Sequence, residues 1–209
     1  MTRRVKRQWK IERKPDIFKV EIFVVKAPYK DRIEFWKFQH AFITFGEVTL
    51  LCDQILKQKI VSGHPLHPSM MTALHILYGR PFKQRAEVKL TKEIIPKDYK
   101  DTHGALISMR DQIYAHMDVD GLKSTGNNSV NKIGVFIKGG HVHFGMTMAF
   151  PREDQVEKIR DLTKLLTDKT FFHSEKIWQR HFKSEYVPDN NYEVNLSKEN
   201  NDFLKPISF

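Results

Sequence analysis

Residues 31–59 read DRIEFWKFQHAFITFGEVTLLCDQILKQK, with no proline and with Gly46 as the single glycine. Within them Phe35, Phe38, Phe42, Phe45, Thr49, Cys52, Ile55 and Leu56 recur at spacings of three and four, the period at which an α-helix turns one face inward. A helix this long with an apolar stripe must bury that stripe against other elements, so the stretch sets the fold class as mainly α. The phenylalanine series reads as core packing rather than an aromatic binding groove. Cys52 lies in the same stripe and is the only cysteine. It therefore forms no intrachain disulfide and reads as a small buried hydrophobe rather than a nucleophile.

Working outward, residues 17–25 partly alternate apolar and charged side chains and read as a strand, ended by the Ala27-Pro28 break. Residues 62–68 form a Gly- and Pro-bearing loop from which Pro68 opens a short helix running to Tyr78. Gly79 ends it, and a polar connection beginning at Arg80-Pro81-Phe82 carries on to Pro96. From Asp98 or Asp101 to His116, the positions Leu106, Met109, Ile113 and Met117 again follow helical spacing. Residues 121–131 are turn-rich. Two β-prone runs, 132–138 and 141–150, then meet at Gly139-Gly140, a two-residue hairpin signal. Pro151 and the acids after it open another helix through Leu166, and a last helix covers residues 174–183. The expected architecture is a single up-and-down helical bundle over residues 15–187. It carries an inserted β-hairpin at about 132–150, a basic arm at 1–14 and an irregular tail at 188–209.

The 209 residues suffice for one domain with a sizeable core, and the 40% hydrophobic and 29% charged content is that of an ordinary globular chain. Lys and Arg number 35 against 25 Asp and Glu, a formal charge of +10, which favours polyanionic partners. The surplus is concentrated at the start. Arg3, Arg4, Lys6, Arg7, Lys10, Arg13 and Lys14 face only Glu12 within residues 1–14. Arg3, Arg4 and Arg7 can follow a phosphate backbone, with Trp9 placed to stack on a base. No apolar run reaches the length of a membrane span, and no apolar segment follows the basic start as in a signal peptide. The expectation is a soluble, cytoplasmic protein without a membrane partner. His141 and His143 share one side of a strand, but no cysteine or compact carboxylate set completes a metal site with them, so neither a metal nor another cofactor is expected.

The chemically loaded segment is Arg110-Asp111-Gln112-Ile113-Tyr114-Ala115-His116. With Ile113 and Met117 at the centre of the buried stripe, Arg110 lies within roughly 60° of it on one side and His116 within roughly 100° on the other. A guanidinium beside a core is costly unless it is paired or faces a cleft. Asp111 diverges by about 100°, which makes it a plausible but not ideal partner. His116 stands near the helix end, where the negative end of the helix dipole favours its protonated form. An arginine that grips phosphate beside a histidine that exchanges a proton suffices for metal-independent RNA cleavage, the 2′-hydroxyl being the nucleophile. One histidine cannot act as base and acid in the same step. Two copies of the chain would complete the set, so the inference calls for a homodimer.

The segment Arg110-Asp111-x-x-x-x-His116, with Ala115 before the histidine and Asp118 after it, resembles the Arg-x(4 to 6)-His motif of the HEPN (higher eukaryotes and prokaryotes nucleotide-binding) family. Tyr78-Gly79-Arg80-Pro81-Phe82 is similar to an aromatic, small, Arg-Pro-Phe element found upstream of such segments in HEPN-like proteins. The resemblance covers mainly residues 70–118. It implies a bundle of four or five helices, dimerisation through the motif helices, and in many members ribonuclease activity within toxin–antitoxin or antiviral defence systems. It would make Arg110 the holder of the scissile phosphate and His116 the proton-transfer group, with Asp111 at the family's polar position. Arg80 reads either as a structural clamp that fixes the loop before the motif helix, the commoner role, or as a substrate contact. RNA would be the substrate and an antitoxin a possible partner. Many HEPN proteins instead bind nucleotides or partners without catalysis. The chain departs from the family at Asp118, where one toxin subgroup has a tyrosine, and in its β-hairpin, which is not a core HEPN element.

Overall fold

The computed structural model describes residues 25–111, 132–139, 141–147, 153–182 and 191–207. Four long helices dominate it: α1 (Tyr29–Lys57), α2 (His67–Gly79), α3 (Lys100–Met109) and α4 (Glu153–Phe182). Two small antiparallel pairs accompany them, β1 (Lys132–Lys138) with β2 (His141–Thr147) and β3 (Tyr192–Val194) with β4 (Leu204–Pro206). The mainly helical class and the hairpin at Gly139 therefore hold. The strand expected at 17–25 lies almost wholly outside the described residues, and Val25 is not in a strand.

Helices α1 and α4 form the spine and run antiparallel. Asp31 near the start of α1 meets His181 near the end of α4, Phe38 stacks on His173, and Thr49 further along α1 bonds Thr163 in the first half of α4. Their shared interface, joined by α2 and by Leu106 of α3, encloses a core around Phe45, Cys52, Leu74, Tyr78, Leu162 and Leu166. Each such fully buried aliphatic or aromatic side chain contributes about 1.5–3 kcal/mol of transfer free energy. Phe35 and Phe45 are buried and Phe38 and Phe42 half-buried, as core packing requires. Burial raises the Cys52 thiol to about 12, reinforced by the Asp53 charge, so the sulfur is inert.

Two expectations are corrected. Where the sequence predicts separate helices ending at 166 and starting at 174, α4 is continuous. The intervening Thr167 and Thr170 satisfy their hydroxyls on carbonyls one turn back, Thr167 Oγ1 on Thr163 O at 2.8 Å and Thr170 Oγ1 on Leu166 O at 2.7 Å. Packing of Phe171 on Phe42 then outweighs the poor local propensity. Where the sequence predicts an irregular tail from residue 188, residues 191–207 carry β3 and β4 and dock on the start of α1 and the end of α4. Their anchor is Arg32, fully buried, whose guanidinium donates to four tail carbonyls: Asn195 at 2.6 Å, Asp202 at 3.1 Å, Ser197 at 3.0 Å and Asn200 at 2.6 Å. Phe203 closes a second apolar cluster with Phe35, Ile177 and Phe182.

Among the described residues no helix is long and apolar enough to cross a membrane.

Candidate functional site

Helix α2 ends at Gly79 and passes directly into a 3-10 turn, Arg80–Phe82. Gly79 does not end α2 by adopting a left-handed conformation, since its φ is −74°. Its value is its missing side chain. A Cβ there would stand 2.7 Å from Cδ of Arg110 and 3.1 Å from its Nε. The arginine stem thus lies directly on the α2 backbone, which ties the Tyr78-Gly79-Arg80-Pro81-Phe82 element to the Arg110 segment in space.

Helix α3 widens into a π-type turn at residues 110 and 111, a local irregularity frequent at functional sites. There Nη1 of Arg110 donates to Oδ1 of Asp111 at 2.8 Å, and Nζ of Lys83 bonds the other carboxylate oxygen. The adjacent aspartate is therefore the arginine's partner despite its angular offset. Burial disfavours the Asp111 carboxylate, but the bonds from Lys83 and Arg110 outweigh it and hold its pKa below the usual carboxylate range. Two cations share this one anion. All three side chains stay between one-fifth and two-fifths exposed, at 23% for Arg110, 33% for Asp111 and 36% for Lys83. Nε of Arg110 is buried with no hydrogen-bond partner among the described residues.

His103 lies on α3 seven residues before Arg110, on the same helix face and roughly 10 Å along the axis. Its Nδ1 bonds the Tyr78 hydroxyl at 2.8 Å, and its ring packs edge-on against Phe82. Burial lowers the His103 pKa and favours the neutral imidazole, while burial raises that of Tyr78 and keeps the phenol protonated. Lys83 and His103 escaped the sequence reading. The signal for His103 was its seven-residue offset from Arg110. Nothing in the sequence singled out Lys83 beyond its position directly after Arg80-Pro81-Phe82.

Arg110 and Asp111 are thus brought together. Arg80 is exposed and makes no hydrogen bond or ion pair with them, and its charge acts instead on His40, whose pKa burial and Arg80 together lower. His116, Arg3, Arg4 and Arg7 lie outside the described residues. Among the described residues no group of three or more His, Cys, Asp or Glu side chains converges as a metal site.

No family model matches this chain, and comparison with curated proteins and with solved structures finds no similar protein.

Proposed function

We propose that the chain is a metal-independent endoribonuclease of HEPN type, acting as a homodimer in which Arg110 binds the scissile phosphate. The observation that carries this reading is the charge at the α2–α3 junction. Among the described residues Arg110 and Lys83 share one carboxylate, a local surplus of one positive charge on partly exposed side chains. Arg110 Nη1 is engaged by Asp111, so the other terminal nitrogen is the donor for a phosphate oxygen. The 2′-hydroxyl then attacks the adjacent phosphorus. Its proton passes to one base, the 5′-oxygen leaves with a proton from an acid, and a 2′,3′-cyclic phosphate remains. His116 from each of two copies would serve as base and acid. The basic residues 1–14 would add affinity for the backbone.

The test is cleavage of single-stranded RNA by purified chain in EDTA. Activity should persist in the chelator and vanish in Arg110→Ala and His116→Ala, both still helical by circular dichroism. Retained cleavage in both variants would remove the proposal.

A second reading has an observation of its own. The Lys83–Asp111–Arg110 ion pairs also fit a purely structural clamp between the 3-10 turn and α3. Strong unfolding of Arg110→Ala, with no RNA binding by the wild type, would favour it.

A further inference from the structure

Between α1, α4 and the β3–β4 pair lies a cavity of about 530 Å³, a size typical of small-molecule sites. Its residues are distinct from those of the Arg110 site. Phe35, Trp178 and Tyr192 form aromatic walls, and Gln39 and Glu175 supply its polar groups. Phe35 and Trp178 are fixed in place, 5.9 Å apart and tilted by 34°, with Trp178 stacked on Phe182 behind it at 3.8 Å. The Arg32 anchor fixes the β3–β4 segment, whose Tyr192, Val194 and Leu204 form one side of the cavity.

The polar groups have one character. Gln39 spends its amide nitrogen on Ser174 Oγ at 3.0 Å, and its carbonyl oxygen has no hydrogen-bond partner among the described residues. Glu175 accepts from Gln179 Nε2 at 2.9 Å through one carboxylate oxygen, and the other has no hydrogen-bond or ion-pair partner among the described residues. Among the described residues Glu175 has no cationic partner in an ion pair although the chain carries a formal charge of +10. The cavity thus offers a carboxylate oxygen, an amide carbonyl and a wall of aromatic carbon from Phe35, Trp178 and Tyr192. A ligand complementary to this set carries N–H donors and an apolar part, and the Glu175 carboxylate favours a cation.

We propose that this cavity binds a small organic ammonium ion, its N–H groups donating to Glu175 and Gln39 and its alkyl part lying against Phe35, Trp178 and Tyr192. The occupant is a free amine rather than a lysine of a protein partner. The cavity volume is that of a small-molecule site, and the chain's own charge opposes approach of a second basic surface.

The experiment is calorimetric titration of the full chain with n-butylammonium chloride, with n-butanol as a neutral isostere and an acetylated, amidated lysine peptide as the protein-like competitor. The ammonium should bind saturably and quench tryptophan fluorescence, n-butanol should not, and Glu175→Gln and Trp178→Leu should each weaken binding by about tenfold or more. Glu175→Gln keeps an acceptor for Gln179, so its fold should persist. Equal binding of n-butanol, unchanged affinity in Glu175→Gln, or no saturable binding of the ammonium would overturn the site. Binding of the lysine peptide alone would overturn the assignment to a free amine.

Discussion

Gly79 and Arg110 compete for one volume: the space that any side chain at Gly79 would need is filled by Cδ and Nε of the arginine. Alanine at this position has two opposed effects. Its helix propensity is better than that of glycine by about 1 kcal/mol in a helix interior and less at an end, whereas overpacking costs about 1–3 kcal/mol. The steric cost should win while Arg110 is present. Gly79→Ala is therefore expected to destabilise the chain by about 1 kcal/mol and to be neutral or stabilising in the Arg110→Ala background. Urea unfolding of the double-mutant cycle measures this, and additive effects would show that the two residues do not share that space.

Asp111 divides the phosphate-site reading from the clamp reading. With Lys83 and Arg110 both on its carboxylate, Asp111→Asn removes the anion and leaves two cations facing solvent. A phosphate site should then bind RNA several-fold more tightly with a steeper salt dependence, while a clamp should lose stability with no gain in binding. The pH dependence follows the same pair. Because the folded pKa lies below the ordinary value, its contribution is present above about pH 4 and lost as the pH falls through the depressed folded value. Filter binding across a salt series and acid unfolding of wild type and variant check both outcomes.

Arg32 carries the docked C-terminal segment. Its guanidinium is fully buried and meets four carbonyl oxygens. Arg32→Met fills similar space but leaves those carbonyls unpaired, at a cost of about 1–3 kcal/mol for each one that water cannot reach. The expected result is local release of residues 191–207 with α1 and α4 intact. Limited proteolysis should cut the variant after α4 well before the wild type, and equal protection would refute the anchoring role.

How far these features could be read in advance depended on whether they are local. The apolar period from Phe35 to Leu56 specified α1 to within two residues at each end, because a helical stripe is written within one segment. Gly139-Gly140 marked the hairpin for the same reason. Arg32 was invisible because its partners lie more than 160 residues away and are backbone carbonyls, which no side-chain pattern encodes. The continuity of α4 was equally hidden, since Thr167 and Thr170 are weak helix formers whose cost is met by packing against α1. At the candidate site the pairing of Arg110 with Asp111 was accessible from adjacency, but Lys83 reaches the same carboxylate only through the turn of Arg80–Phe82.

His75 gives the chain a predictable acid sensitivity. It is buried at 1% exposure between α2 and the core, and its Nδ1 meets the Met71 carbonyl at 2.7 Å. Burial lowers its pKa to about 4, against an ordinary value near 6.5, with the Met71 bond opposing only in part. The unfolded chain therefore binds this proton more readily than the folded one between those two values. Stability contributed by the neutral ring is complete above pH 6.5 and is lost as the pH falls towards 4, by roughly 3 kcal/mol across that window. In His75→Leu the Met71 carbonyl keeps its helical N–H partner. The variant should lose less stability than the wild type between pH 7 and pH 4.5 by about 2 kcal/mol or more, measured by urea unfolding at both pH values. Parallel pH profiles for the two proteins would show that this histidine is not buried in its neutral form.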